Sequence, residues 1–296
     1  CWGLDIYNGQ SRTTPVNISS SGDLNGKEIT AISTGNGASC AIDNAGKAYC
    51  WGDNYYGQVG AGSSSTSSLM PTEITMDGAL VGKTIKSISA GYSHICAIAS
   101  DDQVYCWGRN DNGQLGNNST ANSNVSVAVN TSGLLSDKTI KTVSAGNNYS
   151  CVVASDDNLY CWGSNYDNML GDGGSSDSSV PVASIASGDL NGKKVKYISL
   201  GSPYSRCLLG TDSLAYCRGD NSVGELGNNN NVDNDASYSA VYTAGALSGK
   251  TIKSLESGDK HTCVIASDDQ IYCWGWFIND IEDYTNAKIA PVIVLL

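Results

Sequence analysis

The chain has 296 residues, 40% of them hydrophobic, and a formal net charge of −12. That balance argues against nucleic-acid binding, which rests on Lys and Arg neutralising phosphates. No apolar run approaches the ~20 residues of a membrane span. One phenylalanine stands against 34 glycines, and the apolar residues fall in short Val, Ile, Ala, Tyr and Trp runs that favour strands over helices.

In chain order, the sequence opens on Cys1-Trp2-Gly3, the tail of a phrase that then recurs. The expectation is a chain that starts inside a repeat and is N-terminally incomplete, with Cys1 paired to an upstream cysteine or to another chain. The full phrase follows as CAIDNAGKAYCWG (40–52), CAIASDDQVYCWG (96–108), CVVASDDNLYCWG (151–163), CLLGTDSLAYCRG (207–219) and CVIASDDQIYCWG (263–275). A fixed period near 56 residues is the signature of a repeat architecture and is read before anything else. It divides a single domain, 1–296, into a partial repeat (1–28) and repeats 29–83, 84–138, 139–194, 195–250 and 251–296.

Each repeat begins with a strand and a glycine, as in IKSISAG (85–91) and IKTVSAG (140–146). Two β-rich runs then flank a turn such as Ser100-Asp101-Asp102, whose side chains favour tight turns. A tyrosine (Tyr49, Tyr105, Tyr160, Tyr216, Tyr272) precedes the second cysteine. Tryptophan follows it in every repeat but one, where Arg218 stands instead. A turn of the type GQLG and a polar loop lead to a fourth short strand, as in MPTEI (70–74) or VPVAS (180–184). The C-terminal IAPVIVLL reads as a last strand. Four strands per unit is the composition of a propeller blade.

The paired cysteines sit symmetrically about each hairpin turn, which places them opposite one another at a separation a disulfide accepts. Cys40–Cys50, Cys96–Cys106, Cys151–Cys161, Cys207–Cys217 and Cys263–Cys273 are therefore read as cross-strand disulfides, one per repeat. Zinc ligation fits less well, since structural zinc sites use shorter spacings and four ligands. Reduced, buried cysteines are the other alternative. Disulfides imply an oxidising compartment.

The order G-x-x-x-H-x-C-A, hairpin, Y-C-W-G-x-N-x-x-G-Q-L-G, Pro-led strand resembles the repeat of the regulator of chromosome condensation (RCC1) family, over essentially the whole chain. The resemblance implies an all-β propeller of four-stranded blades, commonly seven. The paired cysteines resemble a secreted or surface-exposed bacterial branch. Because open sheet edges invite aggregation, five complete units and a leading part suggest a ring of six or seven blades, or an open edge capped by a partner or an upstream segment. Three departures stand out. GQLG is lost in WGWFINDIEDYTNAKIAPV (274–292), the Gly201–Cys207 spacing is one residue longer, and the position two before the first cysteine holds Ala38, His94, Tyr149, Ser205 and His261.

No catalytic or metal-binding constellation emerges, and no cofactor is expected. GALVGKT (78–84) and GALSGKT (245–251) fall one residue short of a phosphate-binding loop and recur as inter-blade turns. His94 and His261 occupy a repeat position and read as packing residues. The SDD turns lack the alternating oxygen ligands of a calcium loop. Asn-x-Ser/Thr at Asn17, Asn117, Asn118, Asn124, Asn130 and Asn148 reads as chance in an Asn/Ser-rich chain. The loops after the GQLG turns vary most and should gather on one face, where Tyr55, Tyr56, Tyr166 and Tyr238 are the candidate contacts, because aromatic side chains dominate binding hot spots. The expected function is a non-enzymatic, extracellular binding or structural module at a cell surface, meeting protein, glycan or further copies of itself. The alternatives are a propeller that blocks another enzyme and, through the family's best-known activity, guanine-nucleotide exchange on a small GTPase.

Overall fold

The computed structural model describes residues 3–5, 10–12, 14, 18, 21–64, 67–201, 205–276 and 287–294. Strands β1 (Gly3–Asp5) and β2 (Gln10–Arg12) pair in a small ladder. The others form five antiparallel four-stranded sheets, each in sequential order. Blade 1 is β3 (Ile29–Thr34), β4 (Ala38–Asp43), β5 (Ala48–Asp53) and β6 (Ser67–Glu73). Blade 2 is β7 (Ile85–Ala90), β8 (His94–Ala99), β9 (Val104–Gly108) and β10 (Ser123–Ala128). Blade 3 is β11 (Ile140–Ala145), β12 (Tyr149–Ala154), β13 (Leu159–Gly163) and β14 (Ser178–Ala183). Blade 4 is β15 (Val195–Ser199), β16 (Ser205–Gly210), β17 (Ala215–Gly219) and β18 (Asn234–Ala240). Blade 5 is β19 (Ile252–Ser257), β20 (His261–Ala266), β21 (Ile271–Gly275) and β22 (Lys288–Ile293).

The all-β, four-stranded-blade architecture is as expected, but the expected ring of six or seven blades is not: five blades are present among the described residues. The reason lies in what stacks on what. Every blade has two edge strands however many blades follow, so an argument from sheet edges cannot count blades. Blades add face to face, and the cores lie between them. One apolar cluster joins blades 1 and 2, a second blades 2 and 3, a third blades 3 and 4, and a fourth blades 4 and 5. The second strands of blades 2, 3 and 4 are accordingly buried at every residue, as expected for strands covered on both faces. In β20 burial alternates: Thr262, Val264 and Ala266 face blade 4, while Ile265 is exposed. Among the described residues, no strand of blade 5 packs broadly on a strand of blade 1.

The meander gives the molecule two ends. At the hairpin end, the turn between second and third strands lies beside the inter-blade turn, with Ser100 N–H donating to Thr84 O and Ser155 N–H to Thr139 O (both 2.8 Å). The GK phrase belongs here. Its leucine (Leu24, Leu80, Leu135, Leu190, Leu247) is buried. Its lysine (Lys83, Lys138, Lys193, Lys250) lies 4.5–5.9 Å from the ring centre of Tyr105, Tyr160, Tyr216 or Tyr272. Each of these tyrosine hydroxyls donates to the turn aspartate, Asp101, Asp156, Asp212 or Asp268, at 2.6–2.8 Å. Burial alone would raise the Asp101 carboxyl, but the hydrogen bonds from Tyr105 and Gln103 N–H, with Lys83 alongside, hold it below its ordinary value. The turn carboxylates are thus engaged in local structure, and Asp102, Asp157 and Asp269 adopt positive φ (60–62°), which Asp tolerates better than most residues.

Candidate functional site

The opposite end carries the turns between first and second strands and the long loops between third and fourth. They are joined directly: Arg109 N–H donates to Ser93 O and Ser164 N–H to Asn148 O. In blades 1–4 an asparagine (Asn54, Asn110, Asn165, Asn221), three residues after the Trp or Arg that follows the second cysteine, organises the loop. Asn110 is buried; its Oδ1 accepts from Leu115 N–H, and its Nδ2 donates to Ser119 O and Ala121 O. Asn221 repeats this with Leu226, Asn230 and Val232. A polar, variable loop is thereby wound around one fixed buried amide.

Neighbouring loops are stitched across blades. Asn124 Nδ2 donates to Gly62 O (3.1 Å) and Asn112 Nδ2 to Asp177 Oδ2 (2.8 Å). The turn glycine allows this approach: at Gly113 (φ +82°) a Cβ would lie 2.6 Å from the Ser179 backbone of the next blade. On this surface Tyr55 is 68% exposed and Tyr166 65%. The Tyr55 and Tyr56 rings meet edge to face at 4.9 Å. The Arg109 guanidinium, bonded to Asp111 (2.8 Å), stacks over Tyr56 at 5.2 Å. A rigid aromatic pair with a cation at its side is a surface suited to protein contact.

Tyr238 does not belong to this surface. It is 1% exposed, lying under the guanidinium groups of Arg206 and Arg218 at 5.4 and 5.6 Å. It falls at the strand position opposite the third-strand cysteine region, where the neighbours' Pro71 and Pro181 also sit, so it points between blades. Sequence reasoning missed Arg109, which no motif marks; the replacement of tryptophan by Arg218 was visible but its partner Arg206 was not.

The five cysteine pairs are disulfide-bonded, with Cα–Cα distances of 4.1–4.2 Å. The first four face the following blade: Cys96 and Cys106, for example, pack with Val152 and Ala154 of blade 3. Cys1, Asn17 and 277–286 lie outside the described residues. His94 is buried and linked to Ser150 Oγ of blade 3 at 2.8 Å; that hydroxyl donates to Gln114 O, so His94 Nε2 acts as donor. Burial pushes its pKa down to about 3. A donor histidine in a closed blade interface is packing chemistry, not a base. Among the described residues no group of three or more His, Cys, Asp or Glu is placed to hold a metal, and no helix is long and apolar enough to cross a membrane.

The chain is 31% identical over 268 residues to the ultraviolet-B receptor UVR8 of Arabidopsis thaliana, covering 90% of this chain and 57% of UVR8. It therefore spans little more than half of that relative, and only 6% of human HERC2, an E3 ubiquitin-protein ligase to which it is 25% identical. Among solved structures, yeast RCC1 (Prp20) bound to Kap60 superposes with a TM-score of 0.72 at 17% identity, over 99% of this chain and 68% of that one. Residues 3–280 match the RCC1-like domain, and the chain belongs to that family.

Proposed function

We propose that this chain is a non-enzymatic protein-binding propeller that works in an oxidising compartment outside the cytosol and meets its partner through the loop end of blades 1–3. The observation that carries the reading is the exposed Tyr55–Tyr56–Arg109 cluster, continuing to Tyr166, on loops fixed by buried asparagines. Binding residues concentrate on loops positioned by a rigid scaffold. A similar propeller, yeast RCC1, is solved in complex with the protein Kap60. The five disulfides support an oxidising compartment, since such bonds persist outside the reducing cytosol. The same bonds weigh against nucleotide exchange on a cytosolic or nuclear GTPase.

The test is chemical cross-linking of the folded protein on its source cells, followed by affinity measurement against each captured protein. Tyr55→Ala and Tyr166→Ala should each weaken the interaction at least tenfold, the scale of a hot-spot aromatic. Lys86→Ala and Lys141→Ala, at the hairpin end, should leave it unchanged. Equal loss from both ends, or loss only from the hairpin end, contradicts the reading.

A further inference from the structure

The GQLG-type turns place one buried side chain at each blade seam, and one of these side chains is ionisable. Gln58, Gln114, Met169 and Glu225 stand two residues before the last glycine of their turns. All four are buried, Glu225 at 3% exposure. Three of the turns share their bonding. Gln58 Oε1 accepts from Tyr56 N–H (2.9 Å), Gln114 Oε1 from Asn112 N–H (3.0 Å) and Glu225 Oε2 from Val223 N–H (2.9 Å). The backbone carbonyls of the same three residues accept from the next blade's indole, Trp107, Trp162 or Trp274. In blade 4 a carboxyl therefore occupies the place that a neutral amide fills in blades 1 and 2.

The residue across the seam changes with it. A Cβ on Gly108 would meet both Ser93 O (2.6 Å) and Gln58 Cβ (3.2 Å), so Gln58 lies against the β7–β8 turn of blade 2. The positions equivalent to Ser93 are Asn148 in blade 3 and Lys260 in blade 5: the carbonyls of the three accept from Arg109, Ser164 and Trp276 N–H respectively. Two seams thus pair neutral groups here, and the third sets a carboxyl against an ammonium. The described ion pairs include neither Glu225 nor Lys260. The other charged or titratable groups of the surrounding elements are Asp220 and Asp233 on the same loop, Asp259 on the β19–β20 turn, His261 at the head of β20 and Lys288 at the start of β22. Burial raises the Glu225 carboxyl above its ordinary value; Val223 N–H and Lys260 oppose the rise, and Asp220 adds to it. Among the described residues blade 5 rests on this seam alone, since Ile265 on its other face is 41% exposed.

We infer that the seam between blades 4 and 5 is regulated by protons: on mild acidification Glu225 takes up a proton from solvent, becomes neutral like Gln58 and Gln114, and blade 5 closes more firmly on blade 4. A buried carboxylate without an ion pair costs stability, and its neutral form does not. The folded state holds this proton more tightly than the unfolded chain. The stabilisation is therefore complete below the ordinary glutamate range and is lost as the pH rises through the folded-state value. His261 acts in the opposite sense, because burial lowers it, so the Glu225 contribution is read as a difference between wild type and variant at each pH.

The experiment joins carboxyl NMR of the protein carrying isotope-labelled glutamate to amide hydrogen exchange. The chain has five glutamates, and the Glu225 signal is the one missing from Glu225→Gln. It should titrate above a free glutamate side chain, and Lys260→Met should move it further up. At pH 7, the amides of β20 and β21 should exchange several-fold more slowly in Glu225→Gln than in the wild type, with β8 and β9 equal in both. That difference should vanish as the pH falls through the Glu225 titration. A Glu225 carboxyl that titrates at or below a free glutamate overturns the inference, as does a midpoint unmoved in Lys260→Met. So does an exchange difference that is absent at pH 7 or unchanged by acid.

Discussion

The interface between blades 2 and 3 and the one between blades 3 and 4 are built on the same backbone and solved by different chemistry. In the first, Trp162, Ser150 and His94 form a buried, neutral contact: indole on the turn, serine to the Gln114 carbonyl, histidine held uncharged by burial. In the second, Arg218, Arg206 and Tyr149 fill the same positions, bringing two guanidinium groups to the place of one indole, and Arg206 Nε and the Tyr149 hydroxyl find no acceptor among the described residues. The β-meander is indifferent to which is chosen, because strand pairing is made within a blade. The blade interface is therefore where one repeat can diverge without losing the fold.

The largest effect that would sharpen this contrast is removal of the indole. Trp162→Ala deletes a fully buried side chain and its bond to Gln114, and should cost about 3–5 kcal/mol. Arg218→Ala should cost distinctly less, because it also relieves like-charge crowding with Arg206. Denaturant midpoints of the two variants compare them, and an equal or larger loss for Arg218→Ala would break the contrast.

Next comes the staple. Replacing Cys151 and Cys161 with alanine should cost about 2–3 kcal/mol for so short a loop. The disulfides differ in access rather than in connectivity. Cys96, Cys106, Cys151 and Cys161 are sealed by the following blade, whereas Cys263 is only partly buried on the open side of blade 5. Mild reduction followed by alkylation and peptide mapping should label Cys263 and Cys273 first.

The pH response differs between the interfaces as well. His94 has its pKa depressed from 6.5 to about 3 by burial, and burial also lowers His261, with Asp259 acting against it. The unfolded chain therefore takes up these protons first. Their contribution to stability is complete above about pH 6.5 and is lost as the pH falls toward 3. His94→Gln should flatten that fall, read from urea midpoints at pH 7 and pH 4; an unchanged fall would show that His94 does not gain its proton on unfolding. Tyr149, in the same repeat position of blade 3, contributes nothing in this window. The smallest effect belongs to the exposed Lys86–Asp102 and Lys141–Asp157 pairs, where alanine at either lysine should change stability by less than about 1 kcal/mol.

Much of this fold is legible in the sequence because a repeat states its rules several times. Cysteine spacing, the Tyr before the second cysteine and the Asp turn each recur, so the hairpin and its strand order follow from local chemistry. Blade number was not legible, since it depends on how faces stack and not on any one unit's pattern. Tyr238 was misplaced for a similar reason: a tyrosine in a polar stretch reads as exposed, and only the neighbouring blade reveals that two guanidinium groups cover it. Arg206 was invisible as a site residue because a single arginine carries no motif; Arg218 could be noticed only as a departure from tryptophan.

The most direct test of the disulfide-stapled propeller is the intact mass of the protein taken from its own source and alkylated before and after reduction. Five disulfides among eleven cysteines predict that the ten cysteines from Cys40 to Cys273 take up no reagent until a reductant is added. Labelling of those ten without reduction would contradict the disulfide-stapled reading, and with it the oxidising compartment.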